Sequence, residues 1–212
     1  KWYQNQPDGL MTIGNTIYKY KGENNMPANT TISIPEGIKY IAYEAFKDQT
    51  SLVGVTLPST LLSIGRYAFY HCSLNEVSIP SNITEIGEST FYWNNISKLT
   101  IPSAVNKLQS NAFGSNPIEE LTIEDSKQAL SIVGYMDFGT SLKKVYLGRN
   151  LDSKLNYTFY NNPIEEMTLG KDVTEFCQNL YGCNNLKQVT CLSTVPPIAN
   201  DDKDYIFWDT NY

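Results

Sequence analysis

Several groups of residues in this chain have the types that could do chemistry. His71 is followed directly by Cys72, a base beside a thiol. Adjacent side chains diverge, however, and nothing in the local sequence supplies a third group to orient the imidazole, so His71 reads as a loop residue. Glu119-Glu120 and Glu165-Glu166 offer neighbouring carboxylates of the kind used in acid–base work. Asp201-Asp202-Lys203-Asp204 is an acidic run, but its spacing matches no EF-hand loop and it reads as a solvated turn. Cys72, Cys177, Cys183 and Cys191 form no CxxC pair, and His71 is the single histidine, so no zinc set assembles. Catalytic residues, metal ligands and cofactors are therefore all assigned as none.

The elements that hold these residues explain them better than chemistry does. Ile32-Ser33-Ile34, Val55-Thr56-Leu57, Val77-Ser78-Ile79, Leu99-Thr100-Ile101, Leu121-Thr122-Ile123, Val145-Tyr146-Leu147, Met167-Thr168-Leu169 and Val189-Thr190-Cys191 all read apolar, small or polar, apolar. The third residue of each copy recurs at intervals of 23, 22, 22, 22, 24, 22 and 22. A fixed period in the twenties marks a solenoid of short strands. A leading aliphatic stands three residues before the strands, at Leu52, Leu74, Ile96, Ile118, Leu142, Ile164 and Leu186. A second set of apolar positions follows, as in Ile83, Ile86 and Phe91 or Leu61, Ile64 and Phe69. Pro35, Pro58, Pro80 and Pro102 end four successive strands, where a residue without an N–H does least harm. One such repeat buries too little to offset the ordering of its own backbone, so the copies must stack.

Stacking turns the acidic pairs into columns. One column reads Glu76, Lys98, Glu120, Lys144, Glu166, and the position before it reads Glu119, Lys143, Glu165, Lys187. Parallel strands lie about 4.8 Å apart, which makes these an inter-rung ion ladder rather than a catalytic dyad. The strand's outward column carries Ser78, Thr100, Thr122, Tyr146 and Thr168, a hydroxyl stripe suited to hydrogen-bonding a peptide or glycan, with Tyr146 as the point of specific contact. The competing reading is that threonine simply suits half-exposed strand sites. Cys72 and Cys183 occupy the same place five periods apart, about 24 Å, too far to bridge. Cys177 and Cys183 share one repeat, and their spacing is compatible with either a loop disulfide or buried thiols.

The chain divides into an N-terminal cap at 1–29, a repeat array at 30–198 and a C-terminal cap at 199–212, one continuous structural unit. Leu10 to Tyr20 reads as a hairpin around Gly14-Asn15. The aromatics of Tyr205-Ile206-Phe207-Trp208 are expected to cover the last open layer. The repeat after Ile123 has two extra residues, and an altered loop is expected at Ser131–Phe138. A net charge of -6 argues against a nucleic-acid binder, and no apolar run reaches the roughly 20 residues of a membrane span.

The motif carried by Leu52 to Cys72, and less fully by Leu74 to Phe91, resembles the BspA-type leucine-rich repeat family, over about residues 30 to 198. The resemblance implies a right-handed leucine-rich-repeat solenoid of 7–8 rungs, mostly β with short helical or irregular returns, and a parallel sheet on its concave face. It implies a noncatalytic module exported to the surface of a host-associated bacterium or secreted, any signal peptide or lipid anchor having been removed. Its role would be adhesion to an extracellular protein or glycan. The alternative is a structural spacer or targeting region of a larger surface protein. The asparagine characteristic of other leucine-rich repeats is missing from this motif, so the loop geometry is expected to differ from theirs.

Overall fold

The structure is a computed structural model that describes residues 3–22, 26–153, 158–176 and 180–199. Strands β1 (Gly9–Ile13) and β2 (Thr16–Lys21) form an antiparallel hairpin around Gly14-Asn15. Each repeat then contributes two short strands. In chain order they are β3 (Thr30–Ser33) and β4 (Tyr40–Ile41), β5 (Leu52–Thr56) and β6 (Ser63–Ile64), and β7 (Glu85–Ile86) alone. Next come β8 (Lys98–Ile101) and β9 (Lys107–Gln109), β10 (Glu120–Ile123) and β11 (Leu130–Val133), β12 (Lys144–Arg149) and β13 (Leu151–Ser153). The last are β14 (Glu166–Asp172) and β15 (Glu175–Phe176), β16 (Gln188–Cys191) and β17 (Ile198–Ala199). Every pairing after the hairpin is parallel, so the chain is a β-solenoid of about eight turns.

The first strand of each repeat forms one wall, ordered β16-β14-β12-β10-β8 with a separate pair β3-β5. The returns, expected to be helical or irregular, are instead a second wall of strands, with one sheet running from β1-β2 to β4-β6 and another through β13-β11-β9-β7. The reason lies in the spacing: Ile41, Ile64, Ile86 and Leu108 point inward at the same place in each turn, which leaves the flanking backbone free to pair with the next rung. The third side of each turn is a reversal, and its buried phenylalanines stack along the axis. Phe46, Phe69, Phe91 and Phe113 lie 4.9, 5.4 and 5.3 Å apart with planes within 8° of parallel. All seven leading aliphatics are buried, so the core follows the repeat closely.

The misfit repeat is altered at the expected loop, where residues 134–139 lack the turn that other repeats carry and Gly134 and Gly139 take φ of 83° and 89°, and also in one further place. Leu130–Val133 pairs regularly on both sides, and Ile132, Met136 and Phe138 remain buried. Before β11, two residues are added in the connection from Glu124 to Ala129. A connection outside the ladder can lengthen without disturbing the buried positions.

One interruption was not legible in the repeat. Glu76–Pro80 is in no strand, although Val77 and Ile79 are buried as the pattern requires. No backbone hydrogen bond joins this segment to β5 or to β8. On the second wall, β6 and β7 are also unpaired with each other. Turns two and three thus share no strand pairing on either wall, a seam that begins just past the bonds from the Ser73 and Asn75 amides to the Leu52 and Val53 carbonyls, while their third sides stay joined: the amides of Phe69 and His71 donate to the carbonyls of Thr90 and Tyr92 at 2.9 Å each.

Candidate functional site

The expected hydroxyl stripe is assembled only in part. Thr100, Thr122, Tyr146, Thr168 and Thr190 are direct Cα partners across β8, β10, β12, β14 and β16, so they form one straight row. Ser78 is exposed but lies in the seam, outside that ladder. The Tyr146 hydroxyl donates to the Asp125 carboxylate at 3.0–3.1 Å, and its own acidity is weakened by partial burial and by that carboxylate. Asp125 comes from the lengthened connection and lies over two glycines. A Cβ at Gly170 would stand 2.5 Å from Asp125 Oδ1, and one at Gly148 would stand 2.4 Å from the Asp125 amide nitrogen. The extra residues therefore place a carboxylate beside the row, a feature that the repeat pattern does not locate.

Beneath this connection sits a side chain the repeat did not single out. Arg149 is fully buried and reaches back two turns, donating from Nη2 to the Pro102 carbonyl at 2.8 Å and from Nη1 to the Ser103 carbonyl at 3.1 Å. Burial lowers its pKa, opposed by the nearby Glu124, whose carboxylate accepts from the Ser103 amide at 2.8 Å. Its Nε has no partner among the described residues. Its position after a Leu-Gly pair, past the apolar triplet of the repeat, gave no sign of burial.

The ion columns form separate pairs, not a continuous ladder. Lys98 bonds Glu120 at 3.0 Å and Lys144 bonds Glu166 at 3.3 Å. In the neighbouring column Glu119 meets Lys143 at 3.1 Å and Glu165 meets Lys187 at 2.6 Å, the latter lowering the Glu165 pKa. Each ammonium settles on one neighbour. The expected Glu76–Lys98 contact does not form, because Glu76 has left the ladder, and its carboxylate has no ion-pair or hydrogen-bond partner among the described residues.

Beside Glu76 the seam opens a groove of about 860 Å³, lined by Thr56, Val77, Ser78, Pro80, Thr100 and Ser103 among others. The seam segment lines it without a ladder partner, in a chain whose later first-wall strands, from β8 to β16, are continuously paired.

The third side of the solenoid carries stacked aromatics, Trp93 among them exposed. His71 donates from Nδ1 to Asp48 at 2.9 Å and stacks on Trp93 at 4.1 Å, while Tyr70 stacks on Tyr92 at 5.5 Å. Asp48, His71, Trp93, Ser115 and Asn161 share one backbone position with φ between 52° and 62°. A left-handed conformation there aims each side chain outward, at a cost that rises with side-chain bulk. Asp48 is the orienting carboxylate that sequence did not reveal for His71. It activates no nucleophile, because the Cys72 Sγ turns inward to the Phe46 carbonyl at 3.1 Å and burial pushes its pKa up to about 12.

Cys72 also belongs to a column that the strand motif did not single out. At the same place in other turns stand Asn94, Asn116 and Asn162, all buried. Asn94 accepts from the Leu74 amide at 2.9 Å and donates to the carbonyls of Phe69 and Phe91 at 2.8 and 3.1 Å. Asn116 repeats this with Ile96, Phe91 and Phe113. Cys72 and Cys183 keep only the donor half of the arrangement, Cys183 to Phe159 at 3.2 Å, with its pKa raised to about 11 by burial. Aligning the turns on their phenylalanines, rather than on the strand, would have shown the column. The Cys177–Cys183 bridge falls on a residue outside the described part of the chain, and Cys183 is a free thiol. The C-terminal cap and the Asp201–Asp204 run also lie outside it.

No group of histidine, cysteine, aspartate and glutamate that could hold a metal occurs among the described residues, and no helix there is long and apolar enough to cross a membrane. No curated protein matches the chain. Among solved structures it is similar to a leucine-rich repeat protein from Bacteroides ovatus ATCC 8483, at 20% identity over 78% of this chain and 64% of that one, with a TM-score of 0.43. It is also similar to a leucine rich cell surface protein from Faecalibacterium prausnitzii A2-165, at 16% identity over 83% and 62%, with a TM-score of 0.32. The chain thus spans less than two thirds of the length of either structure. The sequence profile of the BspA type leucine rich repeat region matches residues 11–138 and 126–210, in six copies. With nearly every turn described above inside that match, the chain belongs to the BspA-type leucine-rich repeat family.

Proposed function

We propose that this chain is a noncatalytic recognition module of an exported or cell-surface bacterial protein, and that it binds an extracellular protein or glycan along its first strand wall. The contact residues in this reading are Ser78, Thr100, Thr122, Tyr146 and Thr168. The observation that carries it is the straight, in-register row of hydroxyls on consecutive rungs, half-exposed and backed by a rigid paired sheet. Family membership supports the surface assignment, and an acidic chain of net charge -6 suits neither nucleic acid nor an anionic lipid surface. The row's hydroxyls can donate and accept, while the flanking Lys–Glu pairs are already matched and add little net charge.

The test is a glycan array together with a panel of purified extracellular-matrix proteins, probed with the chain and with Tyr146→Ala and Thr122→Arg. Binding to one ligand class, weakened about tenfold or more by Thr122→Arg, is expected. No binding to either panel would leave the second reading, a structural spacer or targeting region in which the threonines serve only as strand formers.

A further inference from the structure

We propose that the seam at Glu76–Pro80 docks an extended peptide segment of a partner protein, one that carries a lysine or arginine to meet Glu76. This rests on reading the first strand wall as a recognition surface, and it names the partner chemistry for one part of that wall. Two independent observations carry it.

The first is the backbone. Solenoid rungs normally bond both neighbours, and from β8 to β16 the first wall does so without a gap. At the seam β5 beyond Val53, the segment Glu76–Ile79 and the near edge of β8 lack ladder partners, while the Leu52 and Val53 carbonyls still accept from the Ser73 and Asn75 amides at 3.0 and 3.1 Å. Such rows of alternating N–H and C=O groups at strand spacing are matched by another extended backbone, and a strand edge left open in this way is the usual template for strand addition. Pro58, Pro80 and Pro102 close the far end of each rung with a residue that cannot donate. The pairing register is thereby limited to the few residues between Glu76 and Ile79. The groove of about 860 Å³ provides the space, with Val77 and Ile79 buried beneath it and the hydroxyls of Thr56, Ser78 and Thr100 around it.

The second is charge. Lys98 is committed to Glu120, and the Glu119, Glu165 and Glu166 carboxylates are paired as well. Glu76 is exposed at the groove and has no partner among the described residues. A cation on the incoming strand would complete the alternation that the column shows farther along the solenoid, and it would select for register.

The test uses the full chain and a phage-displayed library of random heptapeptides, with enriched peptides then synthesised. A consensus with one lysine or arginine among alternating β-branched residues is expected. Glu76→Lys should weaken such peptides about tenfold or more, and so should N-methylation of alternate peptide amides, a change made on the ligand that leaves the protein's fold untouched. Amide exchange at Val77, Ser78 and Ile79 should slow on binding. The proposal is overturned by the absence of a consensus. It is overturned equally by peptides whose affinity stays within about twofold under both changes, or by binding that leaves exchange at residues 77–79 unaltered. A chain that binds a glycan, loses it with Thr122→Arg and keeps it with Glu76→Lys while failing the peptide test sustains the wall as a recognition face and removes the peptide. Failure on every panel removes both.

Discussion

The junction between the second and third turns and the stretch from the fourth turn to the eighth are held together in opposite ways. In the later stretch, strands carry the connection: β8 through β16 pair without interruption, Lys–Glu pairs flank them, and Arg149 straps two turns together from inside. At the junction neither strand wall forms a ladder, only the Leu52 and Val53 carbonyls of β5 accept from the next turn, and most contacts move to the third side. There Phe69 stacks on Phe91, Tyr70 on Tyr92 and His71 on Trp93, while Arg66 and Tyr67 both bond Glu88. A solenoid needs each rung fixed to the next, but it does not need every side of the rung to do the fixing. Where the reversal is aromatic and clamped, the strand walls can part and leave backbone groups open to a ligand. The left-handed backbone at His71 and Trp93 fits this account, since bulky residues stand there in the two turns that the clamp must join.

Removing the buried stack should have the largest effect. Phe91→Ala deletes a ring that bridges Phe69 and Phe113 across the junction, and a loss of about 3–5 kcal/mol is expected from urea unfolding. Next comes Asn94→Ala, which orphans the Leu74 amide and the Phe69 carbonyl at once, while the Phe91 carbonyl keeps its bond from Asn116. It should cost about 2–4 kcal/mol by the same measurement, whereas Asn94→Cys, the residue used at Cys72, should recover part of it. In the later stretch, Arg149→Met leaves two carbonyls unmatched but also removes a buried charge. It should cost about 1–3 kcal/mol and leave the junction's exchange behaviour unchanged. The smallest effect separates the two regions most finely. A double-mutant cycle on His71 and Trp93 should return a coupling of about 0.5–1.5 kcal/mol, against roughly 0.5 or less for Lys144 and Glu166, which are more than half exposed. Equal couplings would remove the contrast.

Much of this was legible in the sequence, because a repeat states each buried position many times over. Leu52, Leu74, Ile96 and their equivalents, the Phe ladder and the Gly14-Asn15 hairpin all follow from spacing alone. The seam was not legible, since Val77-Ser78-Ile79-Pro80 is as regular a copy as any other. Side-chain pattern specifies which residues face inward, and it does not specify whether a neighbouring backbone comes close enough to bond. Arg149 and Asp125 escaped for a related reason: both act across turns, at positions where the repeat itself had drifted. The asparagine column was present in the sequence but out of phase with the strand motif used to align it. The hydroxyl row was legible as a column, and its break at Ser78 was not.

Residue-resolved hydrogen exchange of the native chain tests the central claim most directly. The amides of Val77, Ser78 and Ile79 should exchange nearly as fast as in an unfolded segment, while Phe69 and His71, which bond across the same junction on the aromatic side, stay protected together with Leu121 and Ile123. Protection at Val77–Ile79 equal to that at Leu121–Ile123 would show a closed strand wall and contradict the account.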